Sequence, residues 1–132
     1  MIYRCERSIS IDKLNQYLQN GTYYVRIYKG IPPTAQEARE MDMDTRTEDE
    51  IGRVTVGMTA GNVNTQVDFY PTQTATATWV KFCKKSTGQT EIITTDSIGV
   101  EGTNNHVWLK TIICESGVIN TFLQTYIEFD LA

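Results

Sequence analysis

The feature that most constrains this chain is a ten-residue stretch, residues 74–83, which no glycine, proline, asparagine or aspartate interrupts. Its first half alternates threonine with alanine and tryptophan, which is the period of a strand with one buried and one solvated face. The alternation then changes phase, because strict continuation would bury Lys81 and expose Val80 and Phe82. We therefore predict a central strand, with a β-bulge near residues 79–81 that switches its faces.

Shorter segments of strand character surround this stretch, and residues that favour turns separate them. These segments cover residues 22–29, 51–56, 65–70, 90–95, 106–114 and 119–129. The pattern predicts a mainly β fold, an antiparallel β-sandwich of jelly-roll or immunoglobulin-like type. Residues 1–132 are expected to form a single domain, because a chain of this length can bury a core without disulfides or a metal.

Residues 1–21 are predicted to form an arm with strand character, followed by a short helix. Ser8 or Ser10 can cap the helix, and the pair Asn20 and Gly21 supplies a left-handed end. Apolar residues recur between these signals at helical spacing, so one face of the helix must pack on something. We expect it to lie on the domain's own sheet or, alternatively, to dock on a neighbouring subunit.

A second, shorter helix is predicted over residues 34–41, where Thr34 and Glu37 have the spacing of a capping box. An acidic run follows at residues 42–50, and runs of this kind are typical of solvated loops. A divalent-cation loop is the alternative, because the carboxylates of this run are hard oxygen ligands. The twelve-residue calcium pattern with its central glycine is absent, however.

Several strands carry aromatic side chains on the face that we assign opposite the core. In the last strand, Ile119 and Leu123 are assigned to the core face. Aromatic residues amid polar neighbours are typical of interface cores. We therefore expect either the N-terminal helix or another protein to cover this aromatic face. The candidate interface residues are Tyr24, Tyr28, Trp108, Phe122 and Tyr126 on this aromatic face, and Ile2, Tyr3 and Arg4 as a pairing arm.

The charge pattern argues against a nucleic-acid surface and a membrane span. The net charge is −4, and basic residues are scattered with no run longer than two. No stretch is apolar for long enough to cross a bilayer, and the N-terminus lacks the apolar centre of a signal peptide. We therefore predict no nucleic-acid or membrane partner.

No catalytic motif is recognisable. His106 is the single histidine, and the chain has no nucleophile elbow, phosphate-binding glycine loop or metal-ligand motif. Glu91, Asp96 and Glu101 could pair as acid and base, but carboxylates in a polar hairpin are unspecific. We predict no catalytic residue, no cofactor and no metal site. A small hydrolase that depends on His106 is the alternative.

Three cysteines, Cys5, Cys83 and Cys114, lie far apart in the sequence. Their odd number and the absence of close spacing do not indicate a disulfide framework or a zinc site. We predict reduced, partly buried thiols. A bridge between two of them, or across subunits, is the alternative.

The order of several motifs is informative. Residues 26–33 read Arg-Ile-Tyr-Lys-Gly-Ile-Pro-Pro, an acidic loop containing alanine follows, and residues 51–56 read Ile-Gly-Arg-Val-Thr-Val. Later, residues 77–82 read Ala-Thr-Trp-Val-Lys-Phe, before a glycine turn and the Ser-Ile-Gly-Val of residues 97–100. With the N-terminal helix, this order over residues 11–129 resembles the small virion structural proteins of tailed bacteriophages.

The resemblance implies a role in assembly. The chain would be a non-enzymatic virion component, made in the cytoplasm of the bacterial host. The expected role is capsid decoration, with the neck, collar or tail as alternative locations. Its partners would be the major capsid protein or neck and tail proteins, and other copies of the chain. A carbohydrate- or receptor-binding adhesin module is a further alternative, which requires an exposed Trp79 or Trp108 beside residues 104–106.

Overall fold

The computed structural model of this chain describes residues 2–4, 20–85 and 92–125. Within these residues the chain forms twelve β-strands and one α-helix, with a 3-10 turn at Thr47–Asp49. The bounds are β1 Ile2–Arg4, β2 Asn20–Tyr28, α1 Ala35–Glu40, β3 Glu50–Thr59, β4 Asn62–Val63, β5 Val67–Phe69, β6 Ala75–Thr76, β7 Trp79–Lys84, β8 Ile92–Thr95, β9 Ile98–Val100, β10 Val107–Leu109, β11 Ile113–Cys114 and β12 Asn120–Thr125. The predicted N-terminal helix and residue Tyr126 lie outside the described residues.

The strands form two sheets and a ribbon. The six-stranded sheet has the order β1-β8-β7-β2-β3-β4, the four-stranded sheet has the order β5-β12-β10-β9, and β6 pairs with β11. All described pairings are antiparallel except that of β9 with β10, which is parallel. The predicted mainly β, antiparallel sandwich is therefore confirmed.

The main core lies between the two sheets. In β2 the side chains alternate as predicted, so that Tyr23, Val25 and Ile27 are buried against the opposite sheet. This alternation explains why the sequence forms a strand here, because it gives the pleat one apolar face. The four-stranded sheet contributes Phe69, Val107, Leu109 and Phe122 to the same cluster.

The second face of the six-stranded sheet is also covered, by residues 34–50, which we call the cover segment. Residues 41–44 read Met-Asp-Met-Asp, and the two methionines are buried while the two aspartates are exposed. Because the residues alternate, the methionines face the sheet and the aspartates face the solvent. The predicted solvated loop is confirmed for the two aspartates, which are exposed, but Met41 and Met43 beside them are buried. The buried side chains of this second cluster are Tyr28, Ala38, Met41, Met43, Trp79, Cys83 and Ile92.

The predicted capping box is confirmed at the start of α1. The Thr34 hydroxyl accepts a hydrogen bond from the Glu37 backbone N–H at 3.2 Å. The Glu37 carboxylate accepts one from the Thr34 backbone N–H at 3.0 Å. Ala38, one residue further on, is fully buried, so the cap fixes the helix at the point where it meets the sheet.

The predicted central strand is not one continuous element but two strands. β7 is interior to the six-stranded sheet, whereas β6 belongs to the ribbon. The predicted bulge at residues 79–81 is wrong, because β7 pairs with both neighbours in regular register. The change of face occurs earlier: Ala77 belongs to the main core, whereas Trp79 belongs to the second cluster. The backbone exchanges partners there, because the Ala77 N–H donates to Ile112 and the Thr78 N–H donates to Tyr28.

Gly52 marks a close approach between the two sheets. A Cβ atom at this position would lie 2.7 Å from Cδ2 of the Phe69 ring, a distance that real Cβ atoms do not show. Beside it, the register of β2 and β3 shifts between Ile27 and Tyr28. The glycine therefore allows β5 to pack directly on β3.

Candidate protein-interaction surface

The predicted aromatic face does not exist as one surface. Tyr28 is fully buried and stacks on Trp79, with ring centroids 4.1 Å apart. Tyr24 lies on the same face of β2 and is partly buried. Because the cover segment packs on this face, it fills the role that we had assigned to the N-terminal helix or to a partner.

Trp108 and Phe122 lie on opposite faces of the four-stranded sheet. Trp108 points away from the core, as predicted, and its indole N–H donates to the Thr103 carbonyl at 3.1 Å. Phe122 is fully buried and meets Phe82 edge-on at 6.5 Å, so its assignment to the outer face is wrong. The reason is a register shift opposite Leu123, since Trp108 pairs with Gln124 whereas Leu109 pairs with Phe122.

The predicted pairing arm forms β1. Ile2, Tyr3 and Arg4 stand opposite Thr95, Thr94 and Ile93 of the same chain. The arm is thus an edge strand of its own sheet, and one of its two hydrogen-bonding sides is already used. Whether its outer side pairs with another protein stays a prediction.

A row of three cations crosses the covered face. Arg26 stands opposite Lys81 on one side and opposite Arg53 on the other. Like charges directly opposite each other destabilise a sheet, so this row needs compensating groups. Glu50 supplies one, because its carboxylate contacts the Arg26 Nε at 3.3 Å and the Arg53 Nε at 2.7 Å.

Other residues of the cover segment supply the remaining compensation. The fully buried Lys81 ammonium donates to the Asp42 carbonyl at 2.9 Å and also to the Thr45 carbonyl. Its Nζ lies 4.7 Å from the centroid of the Tyr28 ring. Arg26 donates to the Met43 carbonyl and, at 3.0 Å, to the Asp44 carboxylate.

These contacts shift several pKa values. Burial raises the pKa of the Tyr28 hydroxyl, and the nearby Glu50 charge adds to this shift. Burial alone would lower the pKa of Arg26, but the Asp44 hydrogen bond and the Glu50 charge outweigh it and raise that pKa. The backbone N–H of Asp44 lowers the pKa of Asp42. Of the acidic run, Asp44 and Glu50 form ion pairs with arginines of the sheet, and within the described part of the chain no group of three metal-ligating side chains occurs.

Four large apolar side chains are exposed at one end of the sandwich. They are Tyr70 and Ile113, each 66% exposed, Val118 at 51% and Ile119 at 47%. We call this set the apolar end. Ile119 had been assigned to the core, which is wrong for the same reason as Phe122: the inward face of β12 begins at Asn120.

Hydrogen bonds between neighbouring turns bring the apolar end together. Ile113 lies in the β6–β11 ribbon, opposite Thr76. The turn that follows is fixed to the segment after β5, because the Gly117 N–H donates to the Pro71 carbonyl at 2.9 Å. Asn120, which starts β12, is opposite Phe69 at the end of β5. Tyr70 and Ile119 are the next residues of these paired strands, so they leave the sheet at the same place.

The apolar end is also poor in charge. Residues 70–80 contain no charged side chain, and Glu115 is the single one in residues 111–127, although 21% of the chain is charged. Exposed apolar residues scattered singly need no explanation, but a group of them without charges is typical of the centre of a protein–protein interface.

No family model, curated protein or solved structure matches this chain. The resemblance to virion proteins accordingly rests on the sequence motifs alone and stays a prediction. The apolar end was found only in the structure. Tyr70 adjoins Pro71, Val118 and Ile119 follow Gly117, and Ile113 lies in a strand of two residues, so side-chain alternation does not indicate which of them are buried.

The region around His106 is occupied by contacts within its own loop. The His106 backbone N–H donates to the Ser97 hydroxyl at 2.9 Å, and that hydroxyl donates to the Asn105 side chain at 3.3 Å. Nδ1 of His106 is buried without a hydrogen-bond partner. The adhesin alternative required an exposed Trp79 or Trp108 here. Trp79 is fully buried, whereas Trp108 is partly exposed and bonds to Thr103 beside these residues, so the alternative stays a prediction.

Cys83 and Cys114 are both buried, and Cys5 lies outside the described residues. Burial raises the pKa of Cys114, partly offset by a hydrogen bond from the Asn120 amide at 3.4 Å. Among the described residues, no helix is both long and apolar enough to span a membrane.

Proposed function

We propose that this chain is a non-enzymatic structural component of a tailed-bacteriophage virion, namely a capsid decoration protein that binds other virion proteins through its apolar end. The observation that carries the proposal is the exposure of Tyr70, Ile113, Val118 and Ile119 in two segments, residues 70–80 and 111–127, that contain one charged residue between them. The resemblance of the sequence motifs supports the virion as the setting. The partners are the major capsid protein and neighbouring copies of the chain.

Two features support a binding role over a catalytic one. The fully buried Lys81 is held by carbonyl groups of the cover segment, so it is engaged in structure. The polar groups near His106 likewise bond to each other. Neck, collar and tail are the alternative locations in the same particle, and the number of copies distinguishes them from the capsid surface.

The first test is quantitative mass spectrometry of purified particles from the phage that encodes the chain. A copy number that tracks the major capsid protein is expected for decoration. A number that corresponds to a few rings would place the chain at the neck or tail. Its absence from the particle would overturn the proposal.

The second test changes the apolar end without changing the fold. Ile113→Lys and Val118→Lys replace exposed side chains, so both variants are expected to fold normally. At an interface centre, however, a buried lysine should cost at least about 2 kcal/mol, or roughly thirtyfold in affinity. We expect incorporation into particles to fall accordingly. Val100→Lys, on β9 and 37% exposed, is the matched control and should leave incorporation unchanged.

A further inference from the structure

A small pocket opens on the covered face of the six-stranded sheet, at the margin of the cover segment. Its volume is about 210 Å³, which is room for a small polar group or several waters. Two pairs of residues from neighbouring strands form its floor, and one side chain of the cover segment forms a wall. The lining includes Tyr24 and Arg26 of β2, Arg53 and Thr55 of β3, and Met43 of the cover segment.

Two guanidinium groups in this pocket share one enclosed carboxylate. Glu50 contacts both Arg26 and Arg53, and its side chain is only 10% exposed. Its Oε1 lies 3.3 Å from the Arg26 Nε but makes no hydrogen bond, so the contact is an ion pair without good N–H alignment. Each guanidinium has five N–H donors, and the contacts described for Arg26 and Arg53 use fewer than five on each. Both arginines can therefore donate further hydrogen bonds.

The second carboxylate that reaches Arg26 is held much less firmly. Asp44 contacts the Arg26 Nη1 at 3.0 Å, and its side chain is 72% exposed whereas that of Arg26 is 11% exposed. Exposed ion pairs of this type are weak, because water screens them and the side chain loses freedom when it pairs. Asp44 is thus an anion that another anion could replace.

We propose that this pocket binds a carboxylate group from outside the cover segment, with Asp44 as its exchangeable internal occupant. A planar carboxylate matches the fork of a guanidinium, and the Thr55 hydroxyl is a further donor at the rim. Tyr24 and Met43 provide apolar contact for a short aliphatic stem. The ligand class is a carboxylate on such a stem, as in an aspartate or glutamate side chain of another protein or a small free acid.

This site is separate from the apolar end and does not depend on a role in a virion. Arg26 and Arg53 lie on the second face of the six-stranded sheet, whereas the apolar end is formed by the ribbon and the ends of β5 and β12. Failure of either proposal therefore leaves the other intact.

The test is an NMR titration of the whole chain, following the side-chain Nε–H signals of Arg26 and Arg53. Sodium acetate represents the free acid, and acetyl-Gly-Glu-Gly-amide represents the protein side chain, with the glutamine peptide as its matched control. Ionic strength is kept constant with sodium chloride. We expect saturable shifts of both signals with acetate and with the glutamate peptide, and none with the glutamine peptide.

Asp44→Asn should tighten acetate binding by roughly two- to fivefold, the range that an exposed ion pair contributes. Glu101→Gln, an exposed carboxylate outside this pocket, is the matched control and should leave the affinity unchanged. Arg53→Gln, at a side chain 58% exposed, should abolish saturation without unfolding the chain. Shifts that stay linear with concentration, or equal affinities of Asp44→Asn and Glu101→Gln, would overturn the proposal. Saturation by acetate but not by the glutamate peptide would identify the ligand as a free acid.

Discussion

Lys81 joins the cover segment to the sheet. A buried ammonium loses its hydration, which costs several kcal/mol unless protein groups replace the water. Here the Asp42 and Thr45 carbonyls accept its hydrogen bonds, and the Tyr28 ring faces the charge. The same side chain would be unfavourable without the cover segment, so its burial depends on that segment being in place.

Replacing Lys81 by methionine should therefore destabilise the fold strongly. Methionine keeps most of the volume but removes the donor to the Thr45 carbonyl and one of the two donors to the Asp42 carbonyl, so we expect a loss of about 2 kcal/mol in the free energy of unfolding. Urea denaturation monitored by circular dichroism measures it. Lys110→Met, at an exposed position, is the control and should change stability by less than about 0.5 kcal/mol. Equal midpoints for the two variants would contradict this account of Lys81.

At the scale of the element, α1 shows how one cap anchors the cover segment. Thr34 and Glu37 satisfy each other's backbone groups, and Arg46 contacts the Glu37 carboxylate at 2.9 Å. The helix is shorter than two turns, so its own hydrogen bonds would not maintain it in isolation. The cap and the burial of Ala38 must do so together.

The cap predicts a specific dependence on pH. The Thr34 backbone N–H and hydroxyl lower the pKa of Glu37 from its ordinary value of 4.5, so the folded state holds the charged form more tightly than the unfolded state does. This contribution is complete above pH 4.5 and is lost as the pH falls through the lowered folded-state pKa. Wild type should thus lose more stability on acidification than Glu37→Gln does, with Glu40→Gln as control. If wild type and Glu37→Gln lose the same free energy of unfolding as the pH falls, the Glu37 cap is not the cause of the pH dependence.

The elements also show what the sequence can and cannot predict. The two faces of β2 and the capping box at Thr34 were predicted correctly, because each depends on local spacing. The faces of β7 were not, because Trp79 and Val80 are buried on opposite sides and alternation disappears when both faces are covered. Phe122 was misplaced because the register shift at the neighbouring Leu123 reverses the faces of the strand, and the local sequence does not indicate this shift.

For the whole molecule, the six-stranded sheet is shared by two apolar clusters, one on each face. Phe82 and Cys83 are neighbours in β7, yet they pack into different clusters. Loss of either cluster would expose the central strand, so the two are expected to unfold together.

The two tryptophans provide a test of this cooperativity. In Trp108→Phe the remaining tryptophan is Trp79, which lies in the second cluster, so its fluorescence reports unfolding on the covered face. Far-ultraviolet circular dichroism reports all strands. We expect the two urea transitions of this variant to coincide within about 0.2 M, as in a two-state unfolding. A fluorescence transition at clearly lower urea would mean that the cover segment unfolds first.

The passage of the chain from β6 to β7 has a mechanical consequence. Only Ala77 and Thr78 separate the ribbon, which carries Ile113 of the apolar end, from the central strand of the six-stranded sheet. A force applied to the ribbon therefore reaches, after two residues, a strand that is hydrogen-bonded along both edges, to β2 and to β8. A partner bound at the ribbon would thus be anchored through a strand that is held on both sides.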